Sequence, residues 1–318
     1  MNLTATRASG SMSMASDSRA GAVPCDLGLD LGGTSVKAVV VTRDGRSLEQ
    51  FQQPFDLNEA RAFERAVRMA LDGASDRWGT PDAVGVSAPG IAAPDGRCIA
   101  HMPGRFAGLE GLEWGRVLGR PDDVPVLNDA QAALLGEVTF GAARGARNVV
   151  LLTLGTGVGG AAMVDGHLLR GHTGKAGHLG HLSLDPDGTP DICRTPGSLE
   201  NAIGNHNIRE RSGGRFGTTH DLVRAAADGD PFAVGIWGRS VRALAAALAS
   251  LGNVLDPEVV ILGGGIARSE AHLFEPLRAH LDRWEWRPGG QSMRLVSAAL
   301  GEWAGAYGAA AHAAARGR

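Results

Sequence analysis

Leu29-Asp-Leu-Gly-Gly-Thr-Ser-Val-Lys-Ala-Val39 is the stretch that decides how this chain folds. An apolar run meets a glycine turn and leaves in a second, β-branched run, the pattern of a tight hairpin. Further along, Leu152-Thr-Leu-Gly-Thr-Gly-Val-Gly-Gly-Ala-Ala162 repeats it. A strand–turn–strand unit repeated at that separation predicts two domains of one ancestral type, not a solenoid. Because the first connection is a hairpin, each sheet is predicted to be mixed and not purely parallel.

The flanking sequence extends this pattern. Leu27–Leu31 and Val36–Val41 read as strands, Thr42–Gly45 as a turn, and Leu57–Trp78 has the apolar spacing of a helix. Ala83–Ser87 and Val124–Leu127 are short buried strands. The pattern then restarts with strands at Asn148–Leu154 and Ala161–Val164. Helices are predicted over Asp221–Asp228, Phe232–Leu251 and Leu273–Trp284, a buried strand at Val259–Leu262, and an Ala-rich closing helix at Gly301–Ala315. Strands mixed with helices give the α/β class. The expected organisation is an N-terminal domain over 25–135, joined by the closing helix 301–318, and a C-terminal domain over 136–300. Residues 1–24, rich in Ser, Ala and Met, read as a disordered tail without the apolar segment of a signal peptide.

Composition narrows the function. At 318 residues the chain exceeds the size of one core. Charged residues are 20% with a net charge of −3, and both signs are spread along the chain, so no nucleic-acid groove or polybasic membrane patch is expected. No apolar run approaches the ~20 residues of a membrane span. The three cysteines are far apart and form no CxxC pair, which predicts a reduced, cytoplasmic chain.

Several motifs carry chemistry. In Asp30-Leu-Gly-Gly-Thr34, Gly32 and Gly33 let backbone N–H groups reach a phosphate, Thr34 adds a hydroxyl, and Asp30 is placed to hold Mg²⁺ directly or through water. An ordinary hairpin turn is the plainer alternative. Gly155, Gly157 and Gly160 spell GxGxxG, but no helix follows, which argues against a dinucleotide fingerprint and for a second phosphate hairpin. Gly263-Gly264-Gly265 ends a buried strand, where a backbone approaches a nucleoside or phosphate closely, or simply turns. Asn128-Asp129 closes a strand: a carboxylate there suits a general base toward a hydroxyl, and either residue suits a helix N-cap. His178 and His181, in a Gly-rich loop, are candidates for a polar ligand.

Together these motifs resemble the ROK family of sugar kinases, within the actin/hexokinase-like superfamily, over about Leu27 to Gly308. Asp30–Thr34 with Lys37 resembles the first phosphate motif. Asn128-Asp-Ala-Gln-Ala-Ala-Leu-Leu-Gly-Glu137 resembles the catalytic stretch, and Asp129 matches its general base. Gly155, Thr156, Gly157 and Gly159 belong to a stretch like the second phosphate motif. Ala176-Gly-His-Leu-Gly-His181 is similar to the sugar loop AGExGH, Gly197-Ser-Leu-Glu200 to the segment whose Glu contacts the sugar, and Val260–Gly265 to the adenosine motif. The resemblance implies two similar domains around an active-site cleft, ATP with Mg²⁺ as cofactors, a sugar substrate and a homodimer. It implies transfer of the γ-phosphoryl group to a sugar hydroxyl, the 6-OH of a hexose or N-acetylhexosamine, with Asn128, His178, His181 and Glu200 holding sugar hydroxyls.

Three departures stand out. The family's loop Glu is His178 here, a change shared by some N-acetylmannosamine kinases of the family. The family's sugar-binding Asn is absent, and Gly104 or Arg105 takes its place, an Arg favouring an acidic or strongly polar substituent. The zinc pattern CxCGxxGC reads Asp191-Ile-Cys-Arg-Thr-Pro-Gly-Ser198, leaving Cys193 and His181 as good ligands where structural zinc takes four, so no zinc is expected. A family repressor would carry a helix-turn-helix ahead of the first strand, and the residues there lack its apolar pattern. A non-catalytic sugar sensor and a kinase of a non-hexose polyol are the remaining alternatives.

Overall fold

The computed structural model describes residues 23–104, 106–120 and 124–317. The expected tail, apart from Val23 and Pro24, and the candidate Arg105 lie outside them.

Three antiparallel strands open the chain: β1 (Cys25–Leu31), β2 (Ser35–Thr42) and β3 (Ser47–Pro54). Helix α1 (Ala62–Trp78) starts five residues later than the apolar spacing predicts, because Arg61 is left-handed and breaks the first turn. Then come β4 (Ala83–Ala88), the short pair β5 (Ile91–Ala92) and β6 (Ile99–His101), one turn of helix α2 (Trp114–Val117), β7 (Val126–Asn128) and α3 (Asp129–Thr139). The pattern restarts with β8 (Val149–Leu154), β9 (Val158–Val164) and β10 (His167–Leu168). Short helices α4 (Leu199–Ile203) and α5 (Ile208–Arg211) lead to α6 (Thr219–Ala227), the long α7 (Pro231–Leu255), β11 (Val259–Gly263), α8 (Ala271–Trp284), β12 (Arg294–Ser297) and α9 (Ala304–Arg316).

The repeat read in the sequence is a repeat of topology. One sheet runs β3-β2-β1-β4-β7, the other β10-β9-β8-β11-β12. In both, two antiparallel pairings are followed by two parallel ones. Both sheets are therefore mixed.

Each sheet has its own core. Leu27, Leu29, Val36 and Val86 pack with Phe63, Val67 and Trp114 on the first. On the second, Val150, Leu152 and Leu262 pack with Leu244, Leu248 and Leu277. Helix α7 corrects one expectation: by length and composition it would suffice to cross a membrane. Its Ile236, Val241, Leu244, Leu248 and Leu251 lie in the second core, and its outward positions include the exposed Arg239 and Arg242.

Helices α3 and α9 pack against each other, α9 lying on the first sheet and α3 mainly on the second. Helix α9 is built of Ala and Gly because its backbone touches its neighbours. A Cβ on Gly28 of β1 would lie 1.8 Å from the Ala306 carbonyl oxygen. The buried Glu137 ends α3 by accepting N–H bonds from Ala142 (2.8 Å), Ala299 (3.1 Å) and Leu300 (2.8 Å), which anchors the turn that launches α9.

Candidate active site

The first glycine turn brings Asp30 to the end of β1, opposite Lys37 in the β1–β2 register. Ser87 of β4 donates to Asp30 Oδ1 at 2.6 Å, and the backbone of Gly305 in α9 closes over the carboxyl. Burial pushes the Asp30 carboxyl up to about 6; the Ser87 hydroxyl opposes this, nearby Asp129 adds to it, and Lys37 opposes it. Lys37 is also paired with Glu302 at 3.4 Å. Thr34 is exposed at the turn, with Gly32 and Gly33 partly open.

Asp129 is the first residue of α3 and is exposed. The cap is Asn128: its Oδ1 accepts from the N–H of Ala130 (3.0 Å) and Gln131 (3.3 Å), and its Nδ2 donates to the Gly90 carbonyl (2.9 Å). The Asp129 carboxylate follows at the helix start. Its Oδ1 accepts from Ala130 N–H at 2.8 Å.

The second glycine turn lies beside the same helix start. A Cβ on Gly159 would be 3.7 Å from the Ala130 side chain. Strand β9 begins at Val158, so Gly159 and Gly160 are strand residues and the turn itself is Gly155–Gly157. Two loop contacts hold it: Asn205 N–H donates to the Gly155 carbonyl (2.9 Å) and His206 N–H to that of Thr156 (2.8 Å). Glu200 in the first turn of α4 lies under Gly157, and its Oε2 accepts from Val158 N–H at 2.8 Å.

Gly263–Gly265 line a cavity of about 330 Å³ with Ala133 and Glu137 of α3, Thr153, and Glu302. Helix α8 does not follow them directly: a 3₁₀ turn over Ile266–Ser269 intervenes. Gly265 is shared with a second cavity of about 270 Å³, lined by Gly155, Thr156, Asn205, Thr218, Thr219 and His220. The Thr219 hydroxyl is buried there and without a partner among the described residues. No motif marks Thr218, Thr219 or Asn205; only their return to the glycine turn in space finds them. A larger cavity of about 700 Å³, lined in part by Arg239, Arg242 and Trp284, contains neither Asp129 nor the hairpin turns.

The histidine loop packs on the second hairpin, with Gly180 against the Val158 carbonyl and Leu179 over Gly160. His178 faces inward only as far as the Lys175 carbonyl, 3.0 Å from its Nδ1. His181 Nδ1 lies 2.7 Å from Asp191 Oδ2, and its Nε2 lies 3.5 Å from Cys193 Sγ. These three residues are close enough to suggest a metal centre, but they do not fit a zinc site. Only His181 and Cys193 are ligands of the kind structural zinc takes, and Asp191 already spends its Oδ1 on the N–H groups of Cys193 and Thr195. The fourth family position, Ser198, is the N-cap of α4 and accepts from Asn201 N–H.

A repeated mixed sheet, with two glycine turns and a carboxylate between them, defines the actin/hexokinase-like class of α/β proteins. Within that class the chain belongs to the ROK family, whose pattern it matches over residues 26–316. It is 32% identical to a glucokinase of Thermotoga maritima over 305 residues, 89% of this chain and 95% of that one. It is 31% identical to an N-acetylmannosamine kinase of Vibrio cholerae over 255 residues, 78% and 86% of the two chains. A ROK glucokinase structure from Streptomyces griseus, in complex with glucose and AMPPNP, superposes with a TM-score of 0.71 at 30% identity, covering 91% of this chain and 99% of that one.

Proposed function

We propose that this chain is a kinase that transfers the γ-phosphoryl group of ATP to the 6-hydroxyl of a hexose or N-acetylhexosamine. The observation that carries the reading is the convergence of Asp129, Asp30 and both glycine turns beside the cavity of Gly263–Gly265. Family membership and the named activities of the glucokinase and N-acetylmannosamine kinase relatives support it. Phosphoryl transfer needs positioning and charge stabilisation more than covalent chemistry, and backbone N–H groups at glycine turns supply both. Asp129 accepts the proton of the attacking hydroxyl. Mg²⁺ brought in with ATP would be held by Asp30, a hard oxygen donor, and would neutralise phosphate charge. Glu200, His181, His178 and Asn128 orient the sugar, and Gly263–Gly265 with Thr219 receive the nucleoside.

The two halves, 25–135 with 301–318 and 136–300, act as domains that close on substrate and exclude water. Their limit at 135 falls inside α3, which packs along α9. Three unpaired cysteines support a reducing, cytoplasmic setting. A homodimer is the expected assembly.

ADP release from Mg·ATP, measured across hexoses, N-acetylhexosamines and polyols, tests the reading. Stimulation by one sugar class supports it and names the class. A folded, ATP-binding protein that no sugar stimulates is a sensor, and a polyol as the only stimulant makes it a polyol kinase.

The Asp30 carboxyl sets a pH dependence. Only the ionised form holds Mg²⁺ well, so kcat/KM for Mg·ATP should fall about tenfold per pH unit below about 6. Stability runs the other way. A carboxyl whose folded pKa is raised contributes stability that is fully present below the unfolded value and lost as pH rises through about 6. Asp30→Asn should therefore raise the melting temperature of the ligand-free protein at pH 8 while nearly abolishing turnover. An unchanged pH profile between 5 and 8 in the wild type would remove Asp30 from the reaction.

A further inference from the structure

The loop over 181–198 is organised around one carboxylate. Asp191 is buried. Its Oδ1 accepts from the N–H groups of Cys193 (2.8 Å) and Thr195 (2.9 Å), and its Oδ2 faces His181 Nδ1 (2.7 Å). Thr195 returns the favour through its carbonyl, which accepts from Asp191 N–H at 2.9 Å. Ser198, whose hydroxyl also stabilises the carboxylate, caps α4, the helix that carries Glu200 to the second hairpin. One group thus ties the histidine loop, the 191–198 turn and the start of α4 together.

From this arrangement we propose that Asp191 is a positioning residue that does, without a metal, what a structural ion would do: it fixes His181 in the tautomer whose Nε2 accepts a hydrogen bond from a substrate hydroxyl. An ionised carboxylate is acceptor-only, so Nδ1 must carry the ring proton and donate it. Nε2 is then the acceptor, and its hydrogen-bond partner among the described residues is the exposed Cys193 thiol, a weak partner that a hydroxyl displaces. A metal-ligating histidine is likewise oriented by the partner on its other nitrogen; here Asp191 is the orienting partner on Nδ1, and Nε2 is left to the substrate hydroxyl. The chemistry recognised is a sugar hydroxyl that donates to His181 while Glu200 holds a neighbouring group. The substrate part of this inference rests on the kinase reading; the placement of Asp191 does not.

Three measurements test it on the full chain. Metal analysis of the purified protein should find well under one zinc per chain, and a chelator should leave activity with excess Mg²⁺ unchanged. In the wild type, ¹⁵N spectra of the His181 ring should show Nδ1 protonated and Nε2 unprotonated. Asp191→Asn, which keeps size and folding but cannot accept at every position, should raise the sugar KM about tenfold or more, with kcat and the KM for ATP changed by less than about twofold. A fall in kcat and a rise in both KM values together with a lower melting temperature would mark a purely structural role and overturns the proposal. Stoichiometric zinc, the opposite tautomer, or an unchanged sugar KM in Asp191→Asn each overturns the proposal. Absence of sugar-stimulated ADP release in the wild type overturns the kinase reading alone, and the tautomer and metal measurements still decide the role of Asp191.

Discussion

Asp129→Ala lowers sugar-stimulated ADP release about 100- to 10,000-fold, the range that removal of a general base produces, and leaves ATP binding and the fold in place. The separation of effects follows from position. Asp129 is exposed at the first turn of α3, and the bonds that start the helix are made by Asn128. Losing an acidic side chain near a helix N-terminus costs roughly 0.3–1 kcal/mol, too little to unfold a two-sheet protein. Asn128→Ala makes the contrast. It removes the cap and the bond to the Gly90 carbonyl, so it should cost about 1 kcal/mol of stability from the cap alone and shift the base as well. Steady-state kinetics with thermal melts on both variants decide the matter. If Asp129→Ala keeps more than about a tenth of wild-type turnover, the general base lies elsewhere.

The parts of this site that the sequence made legible are those in which a short run carries its own geometry. A glycine turn between apolar runs specifies a hairpin without reference to anything distant, and so both hairpins, and with them the duplicated sheet, were readable. Strand β3 was not: its sequence, Ser47–Pro54, is mostly polar because it is an edge strand with few buried positions. Strand β12, Arg294–Ser297, was missed because an edge position asks for little apolar content. The same holds in the site. Asp129 and Glu200 were found through the runs that surround them, whereas Thr218, Thr219 and Asn205 reach the Gly155 turn only through loop contacts. The role of Asp191 was hidden for another reason. In the chain it is one substitution in an altered cysteine pattern, and only the fold shows its oxygens meeting two N–H groups and an imidazole.

The second large effect is steric and lies away from the chemistry. A Cβ on Gly308 of α9 would stand 1.7 Å from the Ala132 carbonyl oxygen and 2.9 Å from Gly136 N, both backbone atoms of α3. Neither can swing aside as a side chain would, so two helices must separate. Overpacking a tight contact costs 1–3 kcal/mol where side chains yield; with backbone on both faces, Gly308→Ala should cost roughly 3 kcal/mol or more, and Tm should fall by roughly 6 °C or more. The matched control is Gly238→Ala, mid-way along α7, where a Cβ meets nothing within 4 Å. There the same added methyl should stabilise by about 0.5–1 kcal/mol, since Gly is a poor helix former. Function should follow packing. Helix α3 carries Asp129 at its start, and Gly305, one turn before Gly308 on α9, closes over Asp30. Forcing α9 away from α3 therefore moves the two carboxylates of the site relative to each other, and Gly308→Ala should lose turnover at temperatures well below its melting point. Equal melting temperatures for the two alanine variants would mean that the helices slide apart freely, and that the Ala- and Gly-rich closing helix is not what holds Asp129 opposite Asp30.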